Sequence, residues 1–118
     1  MPYLLLNTSK TLTVEQRETV KTELGKLITI IPTKSERNFM VDFSEGHPMY
    51  FHGLPADSCA FIELRLLGKA PHKAKKQFVQ QVFRMIDHVL GIKEDELFIS
   101  ILEFEDWGVG GSLKTLSS

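Results

Sequence analysis

The chain has 118 residues, 42 % of them hydrophobic, and a formal charge of -1. That length predicts one domain, able to bury roughly two-thirds of its unfolded surface. The near-neutral balance excludes the basic excess of a nucleic-acid binder and an acidic solvating tail. No apolar run reaches the roughly 20 residues that span a bilayer, so neither nucleic acid nor membrane is an expected partner.

The opening "MPYLLLNTSK" lacks the basic start of a signal peptide, and Asn7 to Lys10 cuts its apolar run short. A cytoplasmic, reducing setting is the expectation, with export by a leaderless route left open. The single cysteine, Cys59, excludes an internal disulfide and a cysteine-based zinc cage. Residues 3–7 read as a short buried strand with a proline just ahead of it. Removal of the initiator methionine would make the Pro2 nitrogen a secondary amine, a group able to act as base and acid. Retained Met1 would leave it an amide with no usable lone pair.

"TLTVEQRETVKTELGKLITIIP" reads as a helix. Thr13 and Gln16 have the spacing of a capping box, in which each side chain satisfies a free backbone donor of the other. Val20, Leu24, Leu27, Ile28 and Ile31 share one helical face. Pro32 ends the segment, and the β-branched run before it makes that end soft. Residues 38–43 (NFMVDF) form a second strand. "EGHPMYFHGLPAD" is turn-rich, with an extended piece around Met49 to Phe51. A third strand occupies residues 59–67 (CAFIELRLL). In the second helix, "PHKAKKQFVQQVFRMIDHVLG", Pro71 suits the first turn and Gly91 the stop. Its apolar stripe is Val79, Val82, Phe83, Ile86, Val89 and Leu90. Residues 96–104 (ELFISILEF) make the last long strand, and "WGVGGSLKTLSS" a glycine-rich tail.

The order strand, helix, strand thus occurs twice. Leu4 to Val41 and Phe61 to Phe98 both span 37 residues. Each half is expected to be a right-handed crossover with parallel strands. The predicted fold class is α+β: a duplicated β-α-β chain forming a four-stranded mixed sheet with two helices on one face. On the third strand Ile62, Leu64 and Leu66 point at the helices, and Phe61, Glu63, Arg65 and Leu67 away. On the fourth, Phe98, Ser100 and Leu102 share one face. Phe61, Leu67, Phe98 and Leu102 are too apolar for a water-facing sheet, which predicts a covering by other subunits.

With these segments in place the chain resembles the tautomerase superfamily, in particular the group of macrophage migration inhibitory factor and D-dopachrome tautomerase. The resemblance runs nearly end to end. It rests on the proline-led "MPYLLLNT", the middle segment "PMYFHGLPADSCAFIELRLLGK" and the final "GIKEDELFISILEFEDWGVGG". It implies a homotrimer with active sites between subunits. It also implies a cofactor-free keto–enol interconversion of α-keto acids such as phenylpyruvate, or of dopachrome-like compounds. Pro2 is implied as general base and then acid, and Lys34 as the cation that holds the substrate carboxylate and keeps the proline nitrogen neutral. The Leu67 backbone is implied as a polar contact, and Tyr3, Phe98 and Trp107 as aromatic walls. Where the inhibitory-factor branch has tyrosine and asparagine, this chain has Phe98 and Ser100, so phenolic substrates are expected to bind less well. That branch's Cys-x-x-Cys piece is reduced to Cys59 with Ile62 at the second place, which gives no support to a thiol–disulfide activity. The alternative is a cytokine-like or scaffold protein that keeps the trimer, has an incidental pocket and binds a protein receptor.

Other features read as ordinary. His47, His52, His72 and His88 show no metal-ligand spacing. Lys69, Lys73, Lys75 and Lys76 form a basic cluster where a helix start slightly disfavours cations, and read as a solvated face. "GVGG" lacks the following helix and Lys-Ser/Thr of a phosphate loop.

Overall fold

The computed structural model of the chain describes residues 1–116. Strand β1 (Pro2–Thr8) alternates buried and partly exposed residues, so Pro2, Leu4, Leu6 and Thr8 face inward while Tyr3, Leu5 and Asn7 face the other way. Thr8 is the one fully buried polar residue of this strand; its hydroxyl donates to the Cys59 carbonyl at 2.7 Å and accepts from the Lys10 amide at 3.1 Å. Helix α1 (Val14–Leu27) starts on the expected capping box, with both reciprocal Thr13–Gln16 bonds at 3.0 Å. Its β-branched end tightens into a 3-10 turn, Ile28–Ile30, before Pro32.

Strand β2 (Met40–Ser44) begins two residues later than the sequence suggests, because Glu36–Asn38 forms a 3-10 turn. The turn-rich segment holds a small hairpin, β3 (Tyr50–Phe51) and β4 (Leu54–Pro55). Both of its central residues, His52 and Gly53, have positive φ, the geometry whose twist matches the flanking strands. Strand β5 (Ala60–Leu67) leads to α2 (His72–Leu90). Pro71 stands one place ahead of the helix rather than in its first turn, at φ -58° and ψ 140°. Gly91 ends the helix at φ 69°, and its amide bonds the Asp87 carbonyl at 2.9 Å. Strand β6 (Leu97–Phe104) follows, and the glycine-rich tail is a second hairpin, β7 (Asp106–Val109) and β8 (Ser112–Thr115).

The main sheet runs β2-β1-β5-β6. Strands β1 and β2 are parallel, as are β5 and β6, while β1 and β5 join the halves antiparallel. Leu4 pairs with Val41 and Phe61 with Phe98, so the 37-residue spacing of the duplication is also the register of both parallel pairs.

One sheet face packs on the helices. Leu4, Leu6, Ile62, Leu64 and Leu66 meet Val20, Leu24 and Ile28 of the first helical segment and Val82 and Ile86 of α2, all fully buried. Phe78, absent from the stripe read in the sequence, is also fully buried there, one turn before Val82. The opposite face leaves Phe61, Phe98 and Leu102 exposed at 39, 57 and 42 % in the single chain. Leu67, expected on that face, is buried instead. It ends β5 beside Gly68 and lines a cavity with Lys34 and Leu116, outside the core cluster under the helices.

Candidate active site

The site grows from the start of the central strand. Pro2 pairs with Leu66, and the next residue, Tyr3, sits between Met40 and Arg65. Proline is tolerated at the first position of a strand, where its missing N–H leaves no ladder bond unmade. Its ring is buried and Met1 is half-buried.

Lys34 arrives from the turn after α1. Thr33 has φ 69°, an unusual conformation for a β-branched residue. The Lys34 amide closes this turn on the Ile31 carbonyl at 3.1 Å. The reversal lets the Lys34 ammonium donate to the Leu67 carbonyl at 3.0 Å. That carbonyl is open because Gly68, at φ 82°, turns the chain away and directs its amide to Phe104. Nearby, the Glu103 carboxylate accepts from the Ala70 amide at 2.6 Å and from Lys75 at 3.0 Å. Burial pushes its pKa up, but these donors and the Lys69 charge outweigh burial and hold it below the ordinary carboxylate value. Lys75 of the basic cluster is therefore paired rather than simply solvated.

The terminal amine lies near Lys34. Burial, then the charge of Lys34 and a hydrogen bond with it, then the charge of Lys114, lower its pKa from 8.0 to about 6. All of these effects disfavour the ammonium form, so the amine is mostly neutral at pH 7. In the chain bearing Met1 this nitrogen is that of Met1. Without Met1 it becomes the ring nitrogen of Pro2, at a buried residue.

A groove of about 580 Å³ opens over this end of the sheet, walled by Pro2, Tyr3, Met40, Arg65, Phe104 and Trp107. Trp107 meets Phe104 edge-on at 6.1 Å. The Tyr3 hydroxyl donates to Asp42 at 2.8 Å, and the Arg65 guanidinium lies 5.5 Å from the Tyr3 ring centre. The Asp42 hydrogen bond, then burial, raises the Tyr3 pKa, so its phenol stays protonated. A second cavity of about 350 Å³ holds Lys34, Leu67 and Leu116.

Pro2, Tyr3, Lys34, Leu67 and Trp107 thus gather at one end of the sheet. Phe98 does not join them. It pairs with Phe61, five positions along β5 from Leu66, the partner of Pro2. At about 3.3 Å per residue that is about 16 Å away. Its ring packs on Phe51 and Phe61, at 5.1 and 6.4 Å. Sequence reasoning did not place Arg65, Met40 and Phe104 in the groove. Alternation along β5 already sets Arg65 on the face of Tyr3, and that was the available signal. Among the described residues, no group of three or more His, Cys, Asp or Glu side chains could hold a metal ion.

The family described as macrophage migration inhibitory factor (MIF) matches residues 1–117. The crystal structure of Leishmania major MIF2 superposes with a TM-score of 0.86 at 20 % identity, covering 96 % of this chain and 97 % of that one. A migration inhibitory factor homologue from Prochlorococcus marinus gives 0.79 at 22 % identity, covering 94 and 97 %. The structure of Pt0534 inactivated by 2-oxo-3-pentynoate gives 0.82 at 14 % identity, covering 92 and 93 %. No curated protein sequence matches significantly. At these identities the superpositions establish the shared fold, while the family match spans all but the last residue of the sequence. The chain belongs to the macrophage migration inhibitory factor family.

Proposed function

We propose that this chain is a cofactor-independent keto–enol tautomerase acting on phenylpyruvate-like α-keto acids or dopachrome-like compounds, with the Pro2 nitrogen as general base and then acid. The observation that supports it best is the setting of the chain's start: burial and the neighbouring Lys34 lower the pKa of the Met1 amine to about 6, and the nitrogen freed by removal of Met1 belongs to the next residue, the buried Pro2. A base poised near neutrality is what proton transfer at pH 7 requires. Lys34 takes the substrate carboxylate while its bond to the Leu67 carbonyl keeps the ammonium in place. The neutral Pro2 nitrogen accepts the enol O–H proton and returns it to the adjacent carbon. This leaves the ketone and a neutral amine, so charge and protons balance.

The reading includes a homotrimer with sites between subunits. Phe98 of one copy is then available to the Pro2 groove of another, and the exposed Phe61, Phe98 and Leu102 support such a contact. A monomer by sedimentation at micromolar concentration overturns that part.

The decisive test uses protein freed of Met1. Pro2→Gly is expected to lower kcat/KM for phenylpyruvate by about 10²–10⁴-fold, the usual contribution of general acid–base transfer. Equal rates leave the enzyme reading unsupported and favour an interaction protein with an incidental pocket. The α-keto acid 2-oxo-3-pentynoate carries an electrophilic alkyne and serves as a second probe. A neutral Pro2 nitrogen is expected to add to it with one adduct per chain, and acylation of that nitrogen to prevent the addition.

A further inference from the structure

Of the residues that line the Pro2 groove, Arg65 alone brings a basic side chain. It stands opposite Tyr3 in the antiparallel pair of β1 and β5, one step from the pairing of Leu66 with Pro2. Residues opposite one another in such a pair project from the same face. The guanidinium accordingly lies 5.5 Å from the Tyr3 ring centre, within the range of a cation–π contact. Glu63, two residues back on the same face of β5, orients it from one side. Nε donates to Glu63 Oε2 at 2.9 Å, and Nη2 lies 2.7 Å from the same oxygen.

These contacts use one edge of a planar group with five N–H donors. Glu63 takes the lateral edge, formed by Nε and the near side of Nη2. The end edge, formed by Nη1 and the outer N–H of Nη2, is a second fork that fits a carboxylate. Among the described residues Nη1 has no acceptor. The Arg65 side chain is 46 % exposed and that of Glu63 23 %, so the cation is the more accessible member of the pair. Asp106, the carboxylate of the groove wall, accepts from the Thr115 hydroxyl at 2.7 Å.

The register sets Arg65 and the Lys34 contact on opposite sides of Pro2. Leu66 faces Pro2, Arg65 precedes it, and Leu67, whose carbonyl holds Lys34, follows it. Arg65 and Leu67 are thus about 6.6 Å apart along β5. Met40, Phe104 and Trp107 give the groove an apolar wall beside Arg65.

We propose that Arg65 is a specificity-determining residue of the Pro2 groove, and that the groove takes an aromatic α-keto acid whose ring carries a carboxylate. The proposal rests on the tautomerase reading for its reaction and on the groove alone for its binding. The carboxylate beside the keto group meets Lys34, the ring lies along Phe104 and Trp107, and the ring carboxylate meets the end edge of Arg65.

The test compares 4-carboxyphenylpyruvate with 4-carbamoylphenylpyruvate, its neutral isostere. The protein freed of Met1 is expected to favour the acid in kcat/KM by about fivefold, the upper range for a solvent-exposed ion pair. Arg65→Gln combined with Glu63→Gln removes both charges of the pair at once and is expected to bring the ratio to about one. Arg65→Lys keeps the charge without the fork and is expected to retain a preference for the acid. The remote Lys93→Ala, which opens only the pair with Asp87, is expected to leave the ratio unchanged. A ratio of one in wild type, or the same ratio in wild type and the double variant, overturns the proposal. If wild type turns over neither compound, the tautomerase reading falls by itself, and the ratio is read in dissociation constants by calorimetry. A binding preference for the acid that the double variant loses then supports the Arg65 site. No preference, or one that persists in the double variant, overturns it.

Discussion

Lys34→Gln in the Met1-bearing chain separates the two main influences on the terminal amine. With a pKa of about 6, about nine-tenths of the amine is neutral at pH 7, against about one-tenth at the ordinary 8.0. Burial is the larger cause and the Lys34 charge the next. Removing the charge should therefore raise the pKa from about 6 without restoring 8.0, because burial and Lys114 remain. The ¹⁵N resonance of a labelled Met1 amine, followed from pH 4 to 10, reads this directly. A wild-type midpoint near 8.0 would refute the reasoning, because the site would then be neither dry nor electropositive. A Lys34→Gln midpoint near 8.0 would refute the ranking, with charge rather than burial in control. No change at all would mean that Lys34 acts only on Leu67.

The same amine links stability to pH. Its folded pKa lies below its unfolded one, so the unfolded chain binds more protons between about 6 and 8.0 and stability rises with pH across that window; urea midpoints at pH 6 and 8, compared with those of an N-acetylated chain, isolate the contribution. Thr33→Gly removes a β-branched side chain from φ 69°. Relief of about 1–2 kcal/mol of strain, less about 0.5–1 kcal/mol of glycine entropy, predicts a net gain near 0.5–1 kcal/mol in urea unfolding; a loss above 1 kcal/mol contradicts it. Phe78→Ala, at a fully buried ring, is expected to cost about 3–5 kcal/mol, a large part of the usual 5–15 kcal/mol; a loss under 1 kcal/mol in calorimetry would mean the ring is not held by the core.

Long periodic segments were readable because their packing partners are regular. The Thr13–Gln16 box needs only local spacing, and the 37-residue repeat became register because both crossovers have the same length. The two hairpins were harder. Their strands are two to four residues long and mostly exposed, so no alternation marks them and only His52–Gly53 and Gly110–Gly111 betray the turns. Leu67 was expected under a covering subunit, and part of its cover comes from the chain's own C-terminal segment, whose path no periodicity marks. At the site, Pro2, Lys34 and Leu67 were found by resemblance, and their gathering depends on contacts between residues over thirty positions apart. Arg65 was seen as a charge on a face without its partner Tyr3. Lys114 sits in a tail whose pairing no periodicity announces.

Chain ends usually fray, and a catalyst placed on one would swing with it. Here the second residue already belongs to an interior strand laddered on both sides from Tyr3 onward. Moving Pro2 far requires parting β1 from β2 and β5 together, an opening close to loss of the whole fold. The nitrogen should therefore hold its aim up to the melting temperature, and heat should extinguish turnover and structure in a single step.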